Sequence, residues 1–148
     1  MVNVVKGNMF DSDAQVLVNT INCVGAMGKG IALTFKRLYP LMYKQYKTYC
    51  DKGMIKPGIL WLYKDKETGQ WVLNFPTKLD WRNPSKMEYI ESGLKKFLYT
   101  YKEKEIKSIA FPLLGCSNGG LNADDVIPLM EKYLSQCEDC DITIYDNR

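Results

Sequence analysis

The stretch Val16-Leu-Val-Asn19-Thr-Ile-Asn22-Cys-Val-Gly25-Ala-Met27-Gly28-Lys29-Gly30-Ile31-Ala-Leu33 constrains this chain more than any other, because an apolar run passes through a glycine-rich loop directly into a helical pattern. Glycines let the backbone approach an anion closely, and the free N–H groups and dipole of a helix's first turn favour negative charge there. A phosphate-bearing ligand is the first expectation. The loop is not a Walker loop, which needs Gly at its first position and Ser or Thr after Gly-Lys, where Cys23 and Gly30 stand. Nor is it a dinucleotide fingerprint, since Leu33 occupies the place of the third glycine. On these residues alone a second reading stays open, in which Gly28 and Gly30 serve only a tight strand-to-helix turn.

With 148 residues and 46% hydrophobic content, residues 1–148 suit a single domain that buries its core without disulfides. No apolar run approaches the ~20 residues of a membrane span, and Met1-Val-Asn-Val-Val-Lys6 lacks the plan of a secretory signal, so a cytoplasmic location without membrane contact is expected. The odd set Cys23, Cys50, Cys116, Cys137 and Cys140 argues for reduced thiols, and the lone Cys137-Glu-Asp-Cys140 pair reads as coincidence rather than a zinc or redox site. Histidine is absent, which excludes Ser-His-Asp and Cys-His nucleophilic systems and any zinc site containing histidine. Acid–base work falls to Asp, Glu, Lys, Tyr, Cys or water, and no metal is expected. The net charge of +3 permits nucleic-acid binding without indicating it.

Short β-branched runs predict strands at Val2 to Lys6, Val16 to Thr20, Ile59 to Tyr63, Trp71 to Phe75, Ser108 to Phe111 and Asp141 to Tyr145. Between them, helical spacing predicts Ile31 to Leu38 and Leu41 to Cys50, divided at Pro40. A helix follows Ser85, with Ser85 and Glu88 as a capping box. Another begins near Asn122 or Asp124, with Cys137 on its inner face and Pro128 tolerated near the first turn. The alternation implies a three-layer α/β/α domain with a mixed, largely parallel sheet of about six strands. Ligands of such sheets sit beyond the carboxyl ends of the strands. A second glycine-rich loop, Pro112-Leu-Leu114-Gly115-Cys116-Ser117-Asn118-Gly119-Gly120-Leu121, falls in that position, and two such loops suit two linked phosphates.

Three ordered motifs now carry a resemblance: the first glycine loop, Asn74-Phe-Pro-Thr77-Lys78, and the second glycine loop. Over nearly its whole length the chain resembles a macro domain, and more narrowly the DarG-like branch, whose members remove ADP-ribose from thymidine in DNA. The resemblance implies an ADP-ribose ligand or product, no cofactor, and a metal-independent ADP-ribosyl glycohydrolase acting on single-stranded DNA. It also implies a DNA ADP-ribosyltransferase toxin as partner. An ADP-ribose 1''-phosphate phosphatase, a hydrolase of protein-linked ADP-ribose, and a non-catalytic reader remain alternatives.

The resemblance further implies that Asn19, Asn22, Gly25, Met27, Gly28, Lys29, Gly30 and Ile31 line the distal ribose and first phosphate. Thr77, Leu114, Gly115, Cys116, Ser117, Asn118, Gly119, Gly120 and Leu121 would follow on the second phosphate side. Asn8 and Met9 fall where macro domains recognise adenine, with Asn8 in place of the usual aspartate and still able to accept one hydrogen bond. Tyr145 and Asn147 would close over the base. Lys78 is the expected catalytic residue, either as an amine attacking the anomeric carbon or as an ammonium stabilising the departing base. Asn22 would orient the ribose and the attacking water, or else only form the turn before the glycine loop. Cys23 and Cys116 read as packing residues. Trp81 and Arg82 either contact a flipped or single-stranded base and a phosphate, or belong to a loop in which Trp81 packs under the next helix. Two departures stand out. Leu121-Asn122-Ala123 replaces the usual Leu-Asp-Trp, and 148 residues leave no room for a toxin-neutralising domain, so a fragment or a stand-alone domain is expected.

Overall fold

The computed structural model describes residues 1–148. In chain order the elements are β1 (Val2–Lys6), β2 (Val16–Ile21), α1 (Gly30–Leu38), α2 (Pro40–Asp51), β3 (Trp61–Lys64), β4 (Trp71–Pro76), α3 (Met87–Thr100), β5 (Ser108–Pro112), α4 (Ala123–Leu134) and β6 (Asp141–Asp146), with a short 3-10 turn at Met9–Asp11. The six strands form one sheet in the order β1-β6-β5-β2-β4-β3. Every pairing is parallel except β3 with β4.

Helices cover both faces, so the central strands read as continuous apolar runs rather than alternating ones. In β2, Val16 and Val18 join Leu73, Phe75, Leu94 and Val126 in the core under α3 and α4. Leu17 and Ile21 turn the other way, to Phe35, Met42 and Tyr46 under α1 and α2. No helix is long and apolar enough to cross a membrane.

The placement of the site follows from one pairing. β2 is in register with β4 along its whole length, from Val16 opposite Trp71 to Ile21 opposite Pro76. With β5 it pairs only at Val16 opposite Ile109 and Leu17 opposite Ala110. Beyond Leu17 the strands part, and the chain leaving β2 enters α1 on one face while the chain leaving β5 enters α4 on the other. Parallel α/β sheets bind ligands at such a divergence.

Four local expectations need correction. Ser85 does not cap α3: the N-cap is Lys86, with no side-chain cap bond, and the Ser85 hydroxyl is buried without a partner. The Ser85 N–H instead donates to Gly119 O at 2.9 Å, tying the helix entrance to the second glycine loop. β3 starts at Trp61 because Ile59 lies in a turn closed by its N–H to Lys56 O at 3.0 Å. Pro128 falls in the second turn of α4, where the lost bond to the Asp124 carbonyl is tolerated because both residues face solvent. Cys137 is buried, but beyond the end of α4.

Gly93 brings α3 onto the sheet. A Cβ there would sit 2.2 Å from the Phe75 ring, and both residues are buried. Gly93→Ala would gain ~1 kcal/mol of helix propensity. Overpacking against a fixed ring costs about 1–3 kcal/mol or more, so the overlap wins. The variant is expected to melt several degrees below the wild type, and an unchanged or raised Tm would show that α3 shifts freely.

Candidate functional site

At the divergence of β2 and β5 lies a crevice of about 480 Å³. Thr20 to Asn22 from the end of β2, Gly28 to Ile31 from the first glycine loop, Thr77 and Lys78 from the end of β4, and Gly115 to Gly119 from the second loop form its walls. A second hollow of about 630 Å³ continues from it, sharing Gly30, Ile31, Pro112 and Asn147. Its own lining includes Asn8, Met9, Phe10, Tyr145, Asp146 and Arg148.

The first loop is shaped by Asn22, which is 7% exposed. Its Oδ1 accepts from Val24 N at 3.1 Å, Ala26 N at 3.3 Å and Tyr46 Oη at 2.8 Å, while Nδ2 donates to Ala26 O at 2.7 Å. The oxygen is fully engaged, so Asn22 forms the turn, and only its second amide hydrogen is left for the crevice. No side chain caps the first turn of α1, which leaves its N–H groups facing the crevice for an anion. Gly30, at φ 57°, passes so close to the second loop that a Cβ would lie 2.9 Å from Asn118 Nδ2. Within the second loop, Leu121 N–H donates to Gly115 O at 3.0 Å. A Cβ on Gly119 would come within 2.3 Å of that same carbonyl oxygen.

Lys78 joins the two loops. Its Nζ donates to Asn118 O at 2.7 Å and to Trp81 O at 3.5 Å. None of the salt bridges includes it. Burial, aided by the positive charge of Lys29, pushes its pKa below the ordinary lysine value. Behind it, the Cys23 thiol donates to Lys78 O at 3.3 Å, and burial pushes that thiol up to about 11. Burial also raises the Cys116 thiol, so both cysteines stay protonated and poorly nucleophilic near neutrality.

Several expected residues stand elsewhere. Asn19 is wholly buried, donating to Asn74 Oδ1 at 3.1 Å in the core under α1 and α2. Strand alternation turns it there with Leu17 and Ile21. Met27 is also buried, with its sulfur 3.9 Å from Asn19 Nδ2. Gly25 packs against Lys47 and Cys50, and Leu114, Gly120 and Leu121 line neither hollow. The Asn8 oxygen, expected to face a base, caps the short 3-10 turn by accepting from Phe10 N at 2.9 Å. Trp81 is 52% exposed and lines the crevice mouth, which excludes its packing under α3. The Arg82 guanidinium stacks 4.7 Å from the Trp81 ring and pairs with Asp80 at 3.2 Å, outside the crevice walls.

Asn122 replaces the expected aspartate as the cap of α4, accepting from Asp124 N at 2.9 Å, and it lines neither hollow. Residues the motifs did not single out include Thr20, Phe10 and Arg148. The last holds the buried Asp146 carboxylate at 2.9 Å and, with Lys6, keeps it well below the usual carboxylate range. No three Cys, Asp or Glu side chains come together to hold a metal.

A mixed six-strand sheet whose crevice is bounded by two strand-to-helix glycine loops is the architecture of a macro domain. The Macro domain family model matches residues 18–130, and the chain belongs to the macro domain family. A DNA ADP-ribosyl glycohydrolase of Thermus aquaticus is 40% identical over 148 residues, 99% of this chain and 41% of that protein. The macrodomain of Mycobacterium tuberculosis DarG superposes with a TM-score of 0.95 at 40% identity, covering 100% of this chain and 99% of that one. Thermosipho africanus DarTG in complex with ADP-ribose matches with a TM-score of 0.90 at 40% identity, over 97% of this chain and 41% of that one. The chain thus spans about two fifths of the length of the curated relatives it matches.

Because the Lys29 charge disfavours a second positive charge on Lys78, Lys29→Ala is expected to raise the Lys78 pKa. An NMR titration of the Lys78 side chain reads this directly. A pKa that stays put would leave burial as the whole cause.

Proposed function

We propose that residues 1–148 form one macro domain that binds ADP-ribose and, as a glycohydrolase, removes it from thymidine in single-stranded DNA. The observation that carries the proposal is Lys78, an amine with a lowered pKa and no carboxylate partner, held at the crevice by the Asn118 carbonyl. The diphosphate would cross the two glycine loops, whose N–H groups and close approach suit it. The aromatic end of the second hollow would take the base of the ADP moiety, leaving the distal ribose at Lys78.

Burial and the Lys29 charge lower the Lys78 pKa, and with no acidic partner to hold the proton the fraction of free amine rises, which is the form that attack on the anomeric carbon uses. The neutral Nζ forms a bond to the anomeric carbon as the bond to the modified base breaks, its electron pair leaving on the base, which then takes up a proton. Water hydrolyses the enzyme-bound sugar and restores the amine. The second amide hydrogen of Asn22 positions the ribose. Trp81 offers a ring at the mouth for a flipped or neighbouring base, and Arg82 a cation for the strand. The lesion would be made by a DNA ADP-ribosyltransferase toxin, and both proteins would act in the cytoplasm.

Release of ADP-ribose from a single-stranded oligonucleotide ADP-ribosylated on thymidine tests this. The wild type is expected to release it, and Lys78→Ala to lose about 100-fold or more in rate, the scale of a removed chemical group, while still binding ADP-ribose. Where the C1–O4 bond of the enzyme-bound ribose breaks, its electron pair leaving on the ring oxygen and the Nζ proton passing to that oxygen, an imine with Lys78 results, and borohydride present during turnover is expected to reduce it and trap the sugar on Lys78. If the wild type binds ADP-ribose but releases none, the reader is the correct function. Release from protein carboxylates or from ADP-ribose 1''-phosphate, but not from DNA, would name another substrate.

A further inference from the structure

The second hollow reads its occupant through groups whose hydrogen-bond direction the fold has already set. Phe10, Ile31 and Tyr145 give it apolar walls that suit a flat base. Its polar side chains include Asn8, Lys6, Asp146 and Arg148. Asn8 caps the turn Met9–Asp11 by accepting from the Phe10 N–H at 2.9 Å. A backbone N–H only donates, so the amide oxygen must face it, and the two Nδ2 hydrogens point away without a protein partner.

The other strong acceptor is spent in the same way. One Asp146 oxygen accepts from Arg148 N and Nε, both at 3.0 Å, and the other from Arg148 Nη2 at 2.9 Å and Lys6 Nζ at 3.3 Å. Thr34, Asn147 and the Tyr145 hydroxyl, the remaining uncharged polar groups on side chains of the hollow, can each turn to donate or to accept, so none selects.

We infer that Asn8 is a specificity-determining residue that donates toward the base, so that the site takes a 6-oxo purine nucleoside diphosphate ribose as readily as the 6-amino one. A purine ring nitrogen or a 6-oxo group accepts from Nδ2, and no carboxylate is free to demand an exocyclic amine. A site built around such a demand would reject the 6-oxo analogue strongly, because a buried acceptor would be left unpaired. The inference rests on the reading that the crevice binds ADP-ribose.

Calorimetric titration of the wild type with ADP-ribose and with inosine diphosphate ribose tests it. The two Kd values are expected to agree within about 3-fold, since the donor of Asn8 is satisfied by either ring. Asn8→Asp keeps one oxygen for the Phe10 N–H and turns a second acceptor toward the base. It is expected to preserve Tm and to shift the ratio about 10-fold or more toward ADP-ribose. Asn8→Ser keeps a cap, removes the amide donor, and is expected to weaken both ligands about equally. A wild type that prefers ADP-ribose by more than about 10-fold would overturn the inference, as would an Asn8→Asp ratio equal to that of the wild type. If neither ligand binds the wild type, the ADP-ribose reading fails and the inference with it.

Discussion

The early parting of β2 from β5 is the constraint on which the rest of the molecule depends. Two residues of pairing hold the strands together at one end of the sheet, and beyond Leu17 each strand hydrogen-bonds only its outer neighbour, β4 or β6. The open V between them has apolar layers on both sides, so neither α1 nor α4 can cross it without leaving its own face. What remains is a slot floored by strand ends and rimmed by the two loops that lead into those helices. The slot costs little, because the backbone groups along it belong to strand termini and loops that need polar partners other than the sheet.

The two loops of the rim brace each other. Gly30 and Asn118 meet across the slot, Gly119 fits only without a side chain, and Ser85 joins the second loop to the entrance of α3. Asn22 and Tyr46 hold the first loop from below. Lys78 then spans from the end of β4 to the Asn118 carbonyl. Its amine is placed by backbone on both sides, which fixes position without supplying the counter-charge that a carboxylate would bring. Lys29 and the surrounding burial act in one direction, against protonation. The geometry that closes the loops and the electrostatics that prepare the amine therefore have the same origin.

The core beneath the first loop carries a polar pair that its packing does not require. Asn19 and Asn74 sit opposite each other on β2 and β4, both fully buried, with methionine sulfurs of Met27 and Met42 as further contacts. Buried amides lose their water contacts and hold their register only through partners. The cross-strand bond fixes how the ends of β2 and β4 align, and hence where Asn22 and Lys78 emerge. Asn19 Oδ1 has no protein partner, which marks the pair as incompletely satisfied rather than optimised for stability.

All six strands, the four helices and both glycine loops were legible in the chain, because each depends on local periodicity or on glycine at a fixed place. Strand alternation already carried the signal that Asn19 shares a face with Leu17 and Ile21. The Ser85 capping box failed because a backbone bond to Gly119, a long-range partner, moved the helix start by one residue and withdrew the hydroxyl. Trp81 was undecidable from its neighbours, since the same residue types serve a buried loop or a pocket mouth. The sequence by itself determined the element types, the two glycine-rich loops and the presence of a lysine after β4, all set within a few residues of chain. Tertiary structure alone decided which atoms face the cavity. The orientation of Asn8 depends on the cap it makes at Phe10, and the freedom of its neighbour Asp146 depends on Arg148 and on Lys6 from β1. Hydrogen-bond direction is a property of an assembled partner set, and that set exists only when distant segments meet.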